Sequence, residues 1–364
     1  MLFTALRCIY CFYSSFHKLQ TTRHGSSVVV HDKSSTDRGS ATVYSEIPPR
    51  PDFSLDDTEP LQLRPFKPKY HMTMGIIECP LPELIEMDKD YISRVALRKR
   101  YMMEHPEITL QADPSIIPTV KELYIYLTST YLPRRYPSMF RIKCNPVSSL
   151  SSCLENLVTG AEIPLTPPEN PIETLKLLGS NIDEEFLLLT KDPGDDQYAL
   201  NGYVLCFPSG FNTKEKFGMK LRDIHGPVPG YKEKLEKSMD RFFNRMETGR
   251  AVKRSNWSIS THERLFVPSG NHLYNGDEVE EQLVDISKVH LRCERQVLWR
   301  LPETRAIVFS FKTYMYPLQQ IKDEGLGEDL AQAIDGLKEG SVPAIHFYKK
   351  GVVWGEAVKS FLRS

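Results

Sequence analysis

Of 364 residues only three are tryptophan and seven are cysteine, and the cysteines are scattered and odd in number. Such a set describes no disulfide framework, so the fold has to stand on an apolar core, and a reducing compartment is the simpler expectation. An excess of one charge is missing too. There are 46 Lys and Arg against 47 Asp and Glu, a net charge of −1, whereas a broad nucleic-acid-binding surface carries a large basic excess. No apolar run reaches the roughly 20 residues of a membrane-spanning helix. The common catalytic signatures are absent as well. There is no P-loop, no HExxH, no GxSxG and no ferredoxin cysteine spacing. Gly325-Leu-Gly327 lacks a third glycine and follows no strand pattern, so it is no dinucleotide fingerprint. The ten histidines show no paired metal spacing.

The rest of the composition is ordinarily globular, 40% hydrophobic and 26% charged, in a chain long enough for one large domain or two smaller ones. Residues 1–16 are apolar and aromatic, Lys18 and Arg23 follow, and no acidic residue precedes Asp32. That pattern suits a mitochondrial presequence or a short membrane anchor. Cys8 and Cys11 form a CxxC inside it, with no second pair to complete a zinc site. Residues 32–60 are rich in Ser, Thr, Asp and Pro and read as a disordered linker, which gives an N-terminal segment of 1–60 and a single domain over 61–364.

Within 61–364, the spacing of Leu84, Met87, Tyr91 and Val95 predicts a helix, and a second is expected over 116–131, ending at Pro133. Five prolines between 144 and 171 suggest a long surface connection. A strand is expected over 198–207, a short helix over 213–224, and another helix presenting Leu235, Met239, Phe242 and Met246. Strands over 251–260, 289–301 and 306–316 and two C-terminal helices complete the pattern. Helices followed by a run of strands indicate an α+β fold with a mainly antiparallel sheet.

Two stretches carry candidate chemistry. In Cys206–Gly230 a strand ends near Pro208, a helix starts at Asn212 or Thr213, and His225 closes it before Gly226-Pro-Val-Pro229. A histidine fixed at a helix end suits a proximal haem ligand. It equally suits a cap on the last carbonyls. Cys206 inside the strand reads as a core thiol. In 289–302, strand alternation puts Leu291, Cys293, Val297, Trp299 and Leu301 on one face, interrupted by Arg295. The other face carries His290, Arg292, Glu294 and Gln296. A buried Arg295 needs an anionic partner, either a haem propionate or an internal carboxylate. Glu294 is a candidate for meeting a cationic substrate or relaying protons.

The segments CFPSGF…EKFG…L..IHGPVPGY, R.NW.I and LRCERQVLWRLP.T.AIVFSFKTY..PL together resemble the haem-dependent oxidative N-demethylase alpha-subunit-like family, whose fungal members are often called HRQ family proteins. The resemblance runs from about Leu61 to about Gln320. It implies a haem-binding, PAS-like domain with extra helices. It also implies a haem b oxidoreductase that takes a methyl group from a small methylated amine with O2, releasing formaldehyde, with electrons reaching it from NADPH through a separate flavin and iron–sulfur reductase. A haem-binding PAS-like sensor or interaction module is the alternative. On this reading His225 is the axial metal ligand, Lys216, Arg254, Arg292 and Arg295 pair with propionates or structural charges, and Glu294 is the catalytic candidate. An intracellular place, cytoplasmic or mitochondrial, follows as the expectation, with the N-terminus as an address or anchor.

Overall fold

The structure, a computed structural model, describes residues 47–144, 152–191, 194–279 and 283–364. The presequence-like start and its CxxC lie outside the described residues. Two compact units form, one from the chain through Ser54 together with Lys121–Pro168, the other from Leu55–Val120 and Glu169–Ser364. Buried structure is present before Leu61: Ile47 and Phe53 are buried, and Phe53 packs edge-on against Tyr136 at 4.9 Å.

In chain order the elements are β1 (Ile77–Cys79), α1 (Tyr91–Glu104), β2 (Leu110–Ala112), α2 (Ile117–Ile125), β3 (Phe140–Lys143), β4 (Cys153–Asn156), β5 (Glu162–Pro164), α3 (Pro171–Gly179), β6 (Glu185–Thr190) and β7 (Ala199–Val204). Then come α4 (Thr213–Lys216), α5 (Leu221–His225), α6 (Tyr231–Lys234), α7 (Glu236–Arg245), β8 (Ala251–Ser260), β9 (His290–Arg300) and β10 (Ile307–Pro317). The chain closes with α8 (Leu318–Asp323), α9 (Gly327–Glu339), α10 (Ala344–Tyr348) and α11 (Gly351–Arg363).

The smaller unit holds the three-stranded antiparallel sheet β3-β4-β5 over a core that includes Leu154 and Ile163. The proline-rich stretch expected to be a loop therefore supplies two strands of three and four residues. α2 widens into a π-type segment, Tyr126–Tyr131, and a further turn, Leu132–Arg135. Pro133 sits in the first turn of that last segment, where a missing N–H breaks no bond, so it does not end the helix as expected.

The larger unit is built on a seven-stranded sheet in the order β1-β8-β9-β10-β6-β7-β2, every pairing antiparallel, which makes the fold α+β as the pattern predicts. One face packs Trp257, Ile259, Leu291, Cys293, Tyr314 and Tyr316 against α9 and α11 through Leu330, Ile334 and Trp354. The opposite face packs Leu298, Ile307 and Phe311 against Leu221, Phe243 and Met246 of the α5–α7 region. The predicted faces of β9 are those observed, but both are covered, so Arg292 is as buried as its apolar neighbours.

The helix expected from Leu84 begins only at Tyr91. A 3-10 turn over Leu81–Glu83 ends at Leu84, and residues 85–90 continue outside any helix; Leu84 and Met87 are buried, the carbonyl of Glu83 accepts from Arg295 and that of Glu86 accepts from Lys312 at 3.1 Å, so this stretch serves the sheet. The single helix expected over 213–224 is two, α4 and α5, interrupted at Gly218, whose φ of 76° lies in the left-handed region.

Candidate functional site

The site is assembled on the sheet face beneath α4–α7. Asn212 caps α4, its side chain accepting from Lys214 N at 3.1 Å, and this starts the turn that carries Lys216. α5 is five residues long, so Leu221 and His225, four apart, project from the same side. Leu221 enters the core on the sheet, and His225 is directed with it. The Pro227-Val-Pro229 turn closes at Gly230, whose φ is 73° and where an added Cβ would come within 2.7 Å of Val342.

Two contacts fix His225. Its Nδ1 lies 2.8 Å from the Leu221 carbonyl, an arrangement in which Nδ1–H donates and Nε2 keeps its lone pair. Its ring stacks on Tyr231 with centroids 4.9 Å apart. Burial lowers its proton affinity, the Leu221 carbonyl works against that, and the nearby charges of Arg254 and Lys216 lower it further. The imidazole is therefore neutral at physiological pH, and among the described residues Nε2 has no hydrogen-bond partner. The capping reading of His225 is realised in the bond to Leu221, yet that bond uses only one ring nitrogen.

Arg254 stands on β8 opposite Gln296 of β9. It makes no hydrogen bond or ion pair with any described residue, and its Nε is buried without a partner. Burial lowers its pKa, against the negative pull of Tyr70 and Glu294. Glu294 lies two residues along β9, opposite Asn256 on one side and Thr313 on the other. One of its oxygens accepts from Gln296 Nε2 at 2.8 Å. Around these polar groups lie half-buried apolar side chains, Phe217, Ile224, Phe242, Val252, Phe309 and Leu187, packed on the core of this face. A cleft of about 590 Å³ opens beside the turn after His225, lined by Pro227, Pro229, Tyr231, Tyr274, Phe347 and Tyr348.

The structure brings His225, Lys216, Arg254 and Glu294 into one neighbourhood and separates the other two arginines. Arg292 shares the face, but its guanidinium clamps backbone: Nη2 donates to Phe207 O at 2.8 Å and Nη1 to Leu265 O at 3.2 Å. Burial lowers its pKa to about 10. Arg295 lies on the far face of the sheet, against the Glu83 carbonyl and 3.9 Å from Glu86. It cannot reach a group held beside His225, so of its two candidate partners the internal carboxylate is the one in place. It joins a buried ionic layer in which Lys312 meets Asp88 at 2.8 Å and Asp183 at 3.3 Å. His290, at the start of β9, has its Nδ1 against Lys288 O at 2.9 Å. Burial drives the Cys206 thiol up to about 12, so it remains an inert core thiol. Among the described residues no cluster of three or more His, Cys, Asp or Glu side chains converges as a cation site. No described helix is long and apolar enough to cross a membrane.

Sequence reasoning did not find Thr313. It is 1% exposed, and its hydroxyl is buried without a partner directly across from Glu294. Only the strand register brings the two together.

These residues suit haem on three counts: a neutral imidazole with one free nitrogen and the other fixed by a carbonyl, an unpaired buried guanidinium beside it, and half-buried apolar side chains around both. Residues 75–359, well over half the chain, match the family model described as haem-dependent oxidative N-demethylase, alpha subunit-like.

Proposed function

We propose a function on the premise that the chain belongs to the haem-dependent oxidative N-demethylase alpha-subunit-like family: it holds haem b against the β8–β9–β10 face and removes a methyl group from a small methylated amine. The observation that carries this reading is the pairing of His225, with Nε2 free, and Arg254, a buried cation without an anion. When bound, haem supplies the activation of dioxygen.

The chain's own groups supply the rest. His225 Nε2 would hold the haem iron through its lone pair, and the Leu221 carbonyl fixes the tautomer and orients the ring. Arg254 and Lys216 are the cations for the propionates, and Arg254 meets in a carboxylate the partner it lacks among the described residues. Arg292 holds the 207–208 and 264–265 segments against the face, which shapes the site without touching its occupant. Phe217, Ile224 and Phe309 keep water from the apolar part. Glu294, a carboxylate near Arg254, keeps one oxygen free of the Gln296 bond, and it serves the amine or the protons. The reaction balances as one amine, one O2, two electrons and two protons giving the demethylated amine, formaldehyde and water. The electrons come from NADPH through a separate flavin and iron–sulfur reductase, and the setting is intracellular.

The test is an absorption spectrum of the purified, haem-supplied protein, followed by a panel of methylated amines assayed for formaldehyde with a surrogate reductant. A Soret band with amine-dependent formaldehyde supports the proposal. No band overturns it, and a band without formaldehyde across the panel leaves the sensor or interaction module as the better description.

A further inference from the structure

We infer that Thr313 and Glu294 form a hydroxyl–carboxylate relay that delivers protons to the site beside His225, an inference that rests on the function proposed above. The two residues are directly opposed on β10 and β9, and side chains in that relation have Cβ atoms about 4.5–5.5 Å apart. Thr313 is 1% exposed, yet its hydroxyl has no partner among the described residues. Its backbone carbonyl is held by Arg94, whose Nη2 donates to it at 2.8 Å. Valine would fill the same volume and favour the strand equally, without burying a hydroxyl. The hydroxyl is thus a costly choice for a purely structural position, and it sits beside a carboxylate with one oxygen uncommitted.

The chemistry of the face selects the role. Of the ionisable side chains gathered there, His225 is committed to Leu221 and to its free nitrogen's ligand, while Arg254 and Arg292 keep their protons. Glu185, on the same face at the β6 edge, is locked to Arg98 at 2.6 Å. Glu294 is a carboxylate on this face that can give up and regain a proton, alongside Lys349, whose pKa burial lowers to about 8 and which feels the charges of both Arg254 and Glu294, and the Thr313 hydroxyl is a group that can accept on one side and donate on the other. Reduction of O2 by two electrons takes two protons. When both protons reach the same oxygen atom, the O–O bond breaks, water leaves, and the other oxygen atom oxidises the N-methyl carbon. When one proton reaches each oxygen atom, hydrogen peroxide leaves and the amine is untouched. A placed relay favours the first course.

The experiment compares Thr313→Val, Thr313→Ser and Glu294→Gln in the full-length, haem-loaded chain. The first readout is the infrared stretch of carbon monoxide bound to the reduced protein, which responds to polar groups near the bound gas and needs no turnover. The second is the ratio of peroxide to formaldehyde with a surrogate reductant and an amine. Thr313→Val and Glu294→Gln should each shift the band, raise the peroxide share several-fold and lower formaldehyde output by roughly 100-fold, the low end of the usual contribution of proton transfer. Thr313→Ser should restore both readouts. An unmoved band in Thr313→Val overturns the inference, and so does a moved band with an unchanged peroxide share. A wild-type protein with no Soret band removes the functional proposal itself, a different failure from a haem-loaded protein whose variants behave alike.

Discussion

Replacing Arg254 with methionine should act in opposite directions on the haem-free and haem-bound protein. In the haem-free chain the guanidinium is largely buried, has no hydrogen bond or ion pair with a described residue, and leaves Nε unmet. A buried, unsatisfied polar group costs roughly 1–3 kcal/mol, and methionine retains most of the apolar stem while removing it. Taking the lower half of that range, because Arg254 as a residue keeps some exposure, haem-free Arg254→Met should gain about 1–2 kcal/mol. That amounts to a few degrees in the thermal midpoint. With haem bound the sign reverses. A hydrogen bond to a charged partner contributes about 1.5–3 kcal/mol, and its loss is a roughly 10- to 150-fold weaker hold on haem. Arg254→Lys keeps the charge without the fork and should fall between. Differential scanning calorimetry of the haem-free proteins measures the first effect, and the rate of haem transfer to excess apomyoglobin measures the second. A variant that unfolds earlier than the wild type when haem-free, and releases haem no faster, would refute the idea that Arg254 is kept for an anionic ligand.

His225→Ala should remove or strongly shift the Soret band, and added imidazole should partly restore it; if the residue only caps α5, the spectrum stays and stability falls by about 0.5–1.5 kcal/mol through the lost bond to Leu221. Deleting residues 1–57 should lower the stability of the smaller unit by about 3–5 kcal/mol, since Phe53 goes with them, whereas deleting 1–46 spares it; thermal scans of the two truncations decide. Isolated, haem-loaded protein should not oxidise NADPH when amine is added, and sustained amine-dependent consumption would show that no separate reductase is needed. Burial depresses His272 and His346 from 6.5 to about 4, so between those pH values the unfolded chain binds protons that the folded chain does not, and stability is lost as pH falls from 6.5. Burial raises Glu184 from 4.5 to about 8, which favours the folded state as pH falls from 8 toward 4.5, so Glu184→Gln should steepen the acid loss between thermal scans at pH 7 and pH 5.

What was legible in the sequence was local. The three long strands announce themselves because each spans ten or eleven residues and alternates, and α7 does so because Leu235, Met239, Phe242 and Met246 recur on one side. β4 and β5 are four and three residues long, too short for a period to emerge among prolines. The spacing of Leu84, Met87 and Tyr91 fits a helix, but carbonyls in that stretch are claimed by Arg295 and Lys312, more than 200 positions downstream. The same division runs through the site. His225 is readable because its setting is made by its immediate neighbours: Leu221 one turn back, the proline turn just ahead. Arg292, Arg295 and Arg254 look alike in sequence, three arginines on two adjacent strands. The register and the packing on each face make the first a backbone clamp, the second a member of the ionic layer behind the sheet, and the third a cation without a partner among the described residues. Thr313 is the extreme case, an unremarkable residue in a strand until the pairing of β9 with β10 sets it against Glu294. A polar residue in a doubly covered strand therefore gains its meaning from what lies across the ladder, and its lack of a partner among the described residues is the feature that points to a ligand.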